Sequence, residues 1–198
     1  MVGAKFIALT WDEIDEMLNK IAERVKESGF KPDVILGISK GGIIPAAILS
    51  DRLGVDSDII GVRYYKNIGR VMRRPEILQH VSIELRGKRV LVIDDVADTG
   101  HSLQLVMRYV RKRGAEKVMT CTLHYKPWAI IKPDYFLTET KAWIIYPWEI
   151  NETVESIAKS LERRRLGEGE IKKELRRMGV PEGIVREILQ LIGKTPQS

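Results

Sequence analysis

Three carboxylates cluster at the end of one apolar stretch: Val90, Leu91, Val92 and Ile93 lead into Asp94 and Asp95, and Val96 and Ala97 separate these from Asp98. Thr99, Gly100, His101 and Ser102 follow at once. Ionised carboxylates accept several hydrogen bonds each, which suits the hydroxyls of a sugar. A turn that opens a helix presents backbone N–H groups with the positive end of the helix dipole behind them, which suits a phosphate. The run therefore reads as a site with a sugar end at Asp94 and Asp95 and a phosphate end at Thr99, Gly100, His101 and Ser102. A second anion-binding element is Ser39-Lys40-Gly41-Gly42, where paired glycines let backbone amides come close to an anion and Lys40 adds a point charge. Each has a plainer alternative: an Asp pair that caps the next helix in a receiver-like or Rossmann-like domain, and glycines that only shape a tight connection.

These residues need elements that deliver them to one edge. Thr10 and Glu13 form a capping box, and Ile14, Met17, Leu18, Ile21, Ala22 and Val25 then share one helical face up to about Ser28 and Gly29. A buried strand is predicted over Asp33 to Ile38 and a helix from Ile43 to Leu53, with Pro45 tolerated in its first turn. Further strands are predicted over Ile59 to Tyr64, Val90 to Ile93 and Lys117 to His124, with a short one around Tyr135 to Leu137. A helix runs from about Ser102 to Arg113. This alternation argues for an α/β fold with a mostly parallel sheet flanked by helices, in which ligands bind at the carboxyl ends of the strands. From Asn151 the chain turns into charged, short helical segments, giving expected divisions of 1–150 for the main domain and 151–198 for a helical extension that docks on the main body or on a partner subunit.

With 198 residues and 44% hydrophobic composition, one ordinary core is expected. No stretch approaches a membrane span and no leader pattern stands at the start, so a cytoplasmic protein with no membrane partner is expected. The single Cys121 lies in an alternating, strand-like run and reads as a buried thiol. Between Arg63 and Arg89 eight basic residues face only Glu76 and Glu84, so this one segment accounts for the formal net charge of +6. Concentrated between two strands, it suits a loop closing over a small polyanion better than a nucleic-acid surface; a solvated basic hairpin is the alternative.

The run from Ile93 to Ser102 resembles the phosphoribosyl-pyrophosphate (PRPP) signature of type I phosphoribosyltransferases, and Ser39-Lys40-Gly41 resembles the pyrophosphate loop of the same family. The resemblance extends over about residues 33 to 149 and is strongest to the 6-oxopurine members, which act on xanthine, guanine or hypoxanthine. It implies that Asp94 and Asp95 hold the ribose hydroxyls, that the turn from Ala97 to Ser102 cradles the 5′-phosphate, and that Asp98 is the catalytic base for the purine N7 proton. Lys126, Trp143 and Ile144 match positions that contact the purine: Lys126 at its 6-oxo group, Trp143 by stacking and Ile144 by backbone contacts. An aromatic face with a nearby cation suits a flat, oxo-bearing heterocycle; a core or interface place is the alternative for Trp143 and the favoured reading for Trp148. Arg63-Tyr64-Tyr65-Lys66 matches the mobile-loop pattern only in part, and Ile145 and Glu149 depart from the bacterial base-site run.

The resemblance further implies a small base-binding hood, transfer of the phosphoribosyl group of PRPP to a purine with release of pyrophosphate, and a homodimer or homotetramer. Mg²⁺ is the implied cofactor, with no direct protein ligand assigned and Asp94 and Asp95 reaching it through water. Two rivals remain: a phosphoribosyltransferase for another base, and a PRPP-sensing regulator that binds nucleic acid.

Overall fold

The computed structural model describes residues 5–65, 74–162 and 166–194. The chain divides into two compact units, residues 1–14 with 141–198, and residues 15–140.

Strand β1 (Phe6–Ala8) and helix α1 (Trp11–Glu27) come first. The expected capping box is present: the Thr10 N–H donates to Glu13 Oε2 at 2.7 Å and the Glu13 N–H to Thr10 Oγ1 at 3.2 Å, which satisfies two of the donors a helix start leaves open. Ile14, Leu18, Ile21 and Val25 are fully buried, as their helical spacing requires.

The larger unit is built from β2 (Val34–Ser39), α2 (Ile43–Leu53), β3 (Ser57–Tyr65), β4 (Arg74–Gln79), β5 (Arg89–Ala97), α3 (His101–Lys112), β6 (Lys117–Tyr125) and β7 (Thr138–Glu139). The strands form one six-stranded sheet in the order β4-β3-β2-β5-β6-β7. All neighbours run parallel except β3 and β4, which pair antiparallel with Arg63 opposite Glu76. Successive side chains of a strand point to opposite faces, and the two faces carry different helices. Val34, Leu36, Val90 and Val92 pack with Leu103, Val106 and Val110 of α3. On the opposite face at Gly37, α2 comes so close that a Cβ there would stand 2.8 Å from Ala46 Cβ. After β2 the chain adds β3 on one side, and after β5 it adds β6 on the other. The carboxyl ends of β2 and β5 thus flank the point where the strand order reverses, the place where open α/β sheets form their ligand crevice.

The smaller unit pairs β1 in parallel with β8 (Trp143–Ile145), Phe6 lying opposite Trp143. Helices α4 (Ile150–Glu162), α5 (Glu168–Arg177) and α6 (Glu182–Lys194) complete it. Their apolar faces, including Val154, Ile171, Leu175, Val185 and Ile188, share one core with Phe6 and Ile145. Too few apolar residues lie beyond 150 to make a core of much stability alone. The compact unit accordingly takes in the chain from Lys141 onward and the chain's first strand.

Two expectations are corrected. The segment from Arg63 to Arg89 is not one loop: β4 returns antiparallel along β3, the hairpin held open as the alternative. Lys66, Arg70 and Arg73 lie outside the described residues. The short strand expected around Tyr135 to Leu137 is a single bridge between Tyr135 and Cys121 followed by β7 over Thr138–Glu139. Among the described residues no helix is long and apolar enough to cross a membrane.

Candidate active site

Strand β5 carries the apolar run beyond Ile93 and ends at Ala97, so Asp94 and Asp95 belong to its last turn of pleat rather than to the loop. Their side chains leave opposite faces of the sheet. Asp95 is 5% exposed, and its carboxylate lies against Gly41: a Cβ at Gly41 would stand 2.4 Å from Asp95 Cγ and Oδ2. Asp94 is half-buried, and its Oδ1 accepts the Asp95 backbone N–H at 3.0 Å. The two acids are therefore not a symmetrical pair: Asp95 supports the neighbouring turn, and Asp94 faces the side of α3.

The turn after β5 is shaped by Gly100, whose φ of 80° is a left-handed conformation that side chains strain to adopt. Gly100 is also the residue preceding α3, where no side chain caps the helix start. Thr99 Oγ1 approaches the His101 N–H at 3.5 Å, too long for a firm cap. Asp98, Thr99 and His101 are exposed and Ser102 half-buried. An uncapped helix start ringed by exposed polar residues has the polarity that suits a phosphate.

The turn after β2 brings Ser39, Lys40 and Gly41 beside β5. The Ser39–Lys40 peptide is cis, and Lys40 is exposed. Gly42 is required by close approach, because a Cβ there would stand 2.2 Å from the Ile93 carbonyl oxygen and 2.6 Å from Ile38 N. Close packing therefore explains both glycines, and at Gly41 the packing partner is the Asp95 carboxylate.

Strand β6 completes the edge. The Lys126 backbone N–H donates to the Ala97 carbonyl and the Ile130 N–H to the Thr99 carbonyl, each at 3.0 Å, so the chain after β6 folds back over the phosphate turn. Lys126 is 6% exposed; burial lowers its pKa, while the Asp98 carboxylate acts in the opposite direction. His124, on the same strand, is also buried, and burial together with the Lys126 cation brings its pKa down to about 4, so it is neutral at physiological pH. Burial, with Asp134 adding to it, pushes the Cys121 thiol far above its usual range, as an inert core cysteine requires.

Trp128 escaped the sequence reading. Its indole Nε1–H donates to Asp98 Oδ1 at 3.2 Å, and its ring lies 5.8 Å from Lys126 Nζ. The signal available was an aromatic residue two positions after the lysine, in Lys126-Pro127-Trp128.

Trp143 and Ile144 belong to the smaller unit. Trp143 is 44% exposed and Ile144 is buried, with the Trp143 N–H donating to the Lys5 carbonyl at 2.7 Å. Trp148 stacks on Tyr146 with ring centroids 4.9 Å apart and tilts against Trp11, so it serves an aromatic cluster. Among the described residues no group of three or more His, Cys, Asp or Glu side chains is arranged to hold a metal ion.

An α/β sheet with an acid-bearing strand, an uncapped helix start after it and a glycine turn at its switch point defines a class. The chain belongs to the phosphoribosyl transferase domain family, whose pattern matches residues 10–155. Among its relatives is a xanthine-guanine phosphoribosyltransferase of Cereibacter sphaeroides, 30% identical over 153 residues that cover 72% of this chain and 86% of the relative. The crystal structure of a purine phosphoribosyltransferase from Pyrococcus horikoshii is similar with a TM-score of 0.67 and 39% identity, over 73% of this chain and 93% of that one. A Neisseria gonorrhoeae protein crystallised with bound ppGpp matches with the same TM-score and 30% identity, over 74% of this chain and 90% of its own.

Proposed function

We propose that the protein is a purine phosphoribosyltransferase that joins a 6-oxopurine to the phosphoribosyl group of PRPP, giving a nucleoside 5′-monophosphate and pyrophosphate. The observation that carries this reading is the return of β6 over the turn of β5. The Lys126 N–H bonds the Ala97 carbonyl at 3.0 Å and the Trp128 indole reaches Asp98 at 3.2 Å, so a cation suited to a carbonyl oxygen stands next to a turn suited to a sugar phosphate.

In this reading Thr99, Gly100, His101 and Ser102 bind the 5′-phosphate at the start of α3, and Asp94 holds the ribose hydroxyls. Asp95 braces the Ser39-Lys40-Gly41 turn, whose amides and Lys40 ammonium take the pyrophosphate. A purine nitrogen forms the bond to C1′ as the bond from C1′ to pyrophosphate breaks, and the electron pair leaves with pyrophosphate. Carboxylates near a sugar ring that gains positive charge stabilise that charge. Asp98 accepts the purine N7 proton, while Lys126 meets the 6-oxo group. Positioning and charge complementarity supply most of the acceleration. Trp143 and Ile144 are assigned to the purine by their match to the family's base-site run.

The residues fit a Mg²⁺ ion that substrate brings with it, since the site offers carboxylates at Asp94 and Asp95 and, among the described residues, no cluster of three metal-ligating side chains. Such an ion would neutralise the pyrophosphate oxygens; of the two acids assigned to it, Asp94 would reach it through water and Asp95 would act through the turn it braces. We place the enzyme in the cytoplasm as a homodimer or homotetramer, with PRPP and a purine as its partners, no nucleic acid among them, and with a main domain of 1–150 followed by an extension.

The test is nucleotide formation from PRPP with hypoxanthine, guanine and xanthine, with and without Mg²⁺, and with adenine, uracil and orotate as contrasts. Metal-dependent turnover of a 6-oxopurine is expected. Turnover of orotate or uracil alone would reassign the base. Tight, salt-dependent nucleic-acid binding with no pyrophosphate release would reassign the protein as a sensor. A second ligand follows from the Neisseria relative: a site that reads both a purine and a pyrophosphate is suited to ppGpp, expected here as a competitor of PRPP.

A further inference from the structure

We propose that Trp128 is a positioning residue that ties Asp98 and Lys126 into one unit, an inference that rests on the phosphoribosyltransferase reading. Trp128 contacts both groups in different ways. Its Nε1–H donates to a single oxygen of Asp98, Oδ1, at 3.2 Å. Its ring lies 5.8 Å from Lys126 Nζ, within the range at which a cation is attracted to an aromatic face.

The consequence follows from what a short carboxylate can do. Asp98 is exposed, and an exposed Asp side chain rotates among several rotamers. A proton acceptor works only when one oxygen sits within hydrogen-bond reach of the proton it takes. The indole selects one rotamer by gripping Oδ1, and a one-point grip leaves Oδ2 to meet the purine. The ring meanwhile faces the buried Lys126 ammonium, which Asp98 attracts as well, so the two charged groups share one neighbour. Both contacts come from one side chain on the segment that hydrogen bonds to Ala97 and Thr99, so the backbone that frames the phosphate turn also sets the two groups that handle the base.

Trp128 is itself 53% exposed. For a residue that buries so little of its ring, core packing is a weak reason to be a tryptophan, and the N–H donor is the feature that phenylalanine lacks.

The experiment compares wild type, Trp128→Phe and Trp128→Leu, each also in an Asp98→Asn background, by steady-state kinetics in both substrates. Trp128→Phe keeps a ring for Lys126 and removes the donor: kcat is expected to fall about tenfold, the usual scale for a hydrogen bond to a charged group, with PRPP KM changed by less than about twofold. Trp128→Leu removes the ring as well, and its purine KM is expected to rise a further threefold or so. In the Asp98→Asn background Trp128→Phe is expected to change kcat by less than about twofold, because residues that act as a unit are not additive. An unchanged kcat in Trp128→Phe overturns the proposal, as does a full additional loss in the Asp98→Asn background, or an equal loss of PRPP affinity. Equal purine KM in the Phe and Leu variants overturns the part assigned to the ring. Wild-type protein that forms no nucleotide from any purine overturns the enzymatic reading itself, and this role with it.

Discussion

Replacing Gly41 by alanine tests the packing of the glycine turn on Asp95. The new Cβ would stand 2.4 Å from Asp95 Cγ and Oδ2 and 2.5 Å from Oδ1, where non-bonded carbon atoms rest at about 3.5–4.0 Å. Asp95 is 5% exposed and on a central strand, so its carboxylate has no solvent to swing into. Either the acid or the turn must shift, and overpacking of this kind costs roughly 1–3 kcal/mol. At about 2–4 °C per kcal/mol for a chain of this size, the melting temperature falls by roughly 2–12 °C. Gly42→Ala provides the contrast. Its Cβ would meet backbone, the Ile93 carbonyl oxygen at 2.2 Å and Ile38 N at 2.6 Å, and backbone cannot rotate aside. Its cost lies at or above roughly 3 kcal/mol.

The two variants should therefore separate in two assays, thermal unfolding and PRPP binding by titration calorimetry. Gly42→Ala melts lower than Gly41→Ala. Gly41→Ala, which moves the acid and the pyrophosphate turn together, weakens PRPP by about tenfold or more, equivalent to about 1.4 kcal/mol. A Gly41→Ala protein that melts within about 1 °C of wild type and binds PRPP equally well refutes the packing of Asp95 on the turn. A Gly42→Ala protein more stable than Gly41→Ala refutes the distinction between backbone and side-chain obstacles.

Other substitutions probe the remaining groups. Asp98→Asn keeps the shape but removes the proton acceptor, so kcat should fall about 10²–10⁴-fold with PRPP affinity retained; parallel loss of PRPP binding in calorimetry would assign Asp98 to anchoring instead. Trp143→Ala should raise purine KM by about tenfold and leave PRPP KM unaltered; because Trp143 is 44% exposed, stability should hold to within about 0.5 kcal/mol, and an unchanged purine KM removes it from the site. His124 is neutral in the fold down to about pH 4 against its ordinary value of 6.5. The unfolded chain takes up this proton first as pH falls, so the contribution of His124 is fully present above 6.5 and is lost towards 4. That loss is about 2 kcal/mol between pH 7 and pH 5. Urea unfolding should show this slope in wild type and a flatter one in His124→Gln, and equal slopes would contradict it.

Much of the local structure was legible in the chain because it depends on neighbours in sequence. The capping box at Thr10 and Glu13 and the buried stripe from Ile14 to Val25 follow from helical spacing. The bounds of α2 at Ile43 and Leu53 follow from local signals, since glycines at 42 and 54 flank the segment and Pro45 falls in its first turn, where it is tolerated. The apolar run before Asp94 and the turn at Gly100 were equally plain. Strand β4 was not, because Arg74–Gln79 contains Pro75 and three polar or charged residues, Arg74, Glu76 and Gln79, that lack the alternation of a half-buried strand. Strands β1 and β8 were missed because three-residue strands are too short to show a period.

By itself the sequence determined which residues are capable of the chemistry: acids after an apolar strand, a glycine turn, a lysine after another strand. Their residue types and spacings are local properties that survive without knowledge of the fold. Only the tertiary structure decided how they are used. It set β2 beside β5, directed Asp95 to Gly41 and Asp94 to the opposite face, and brought Trp128 onto Asp98 from 30 residues away. Parallel strand order and contacts between distant loops are fixed by burying both faces of the sheet at once, and that condition is met by the whole chain and written in no single segment of it.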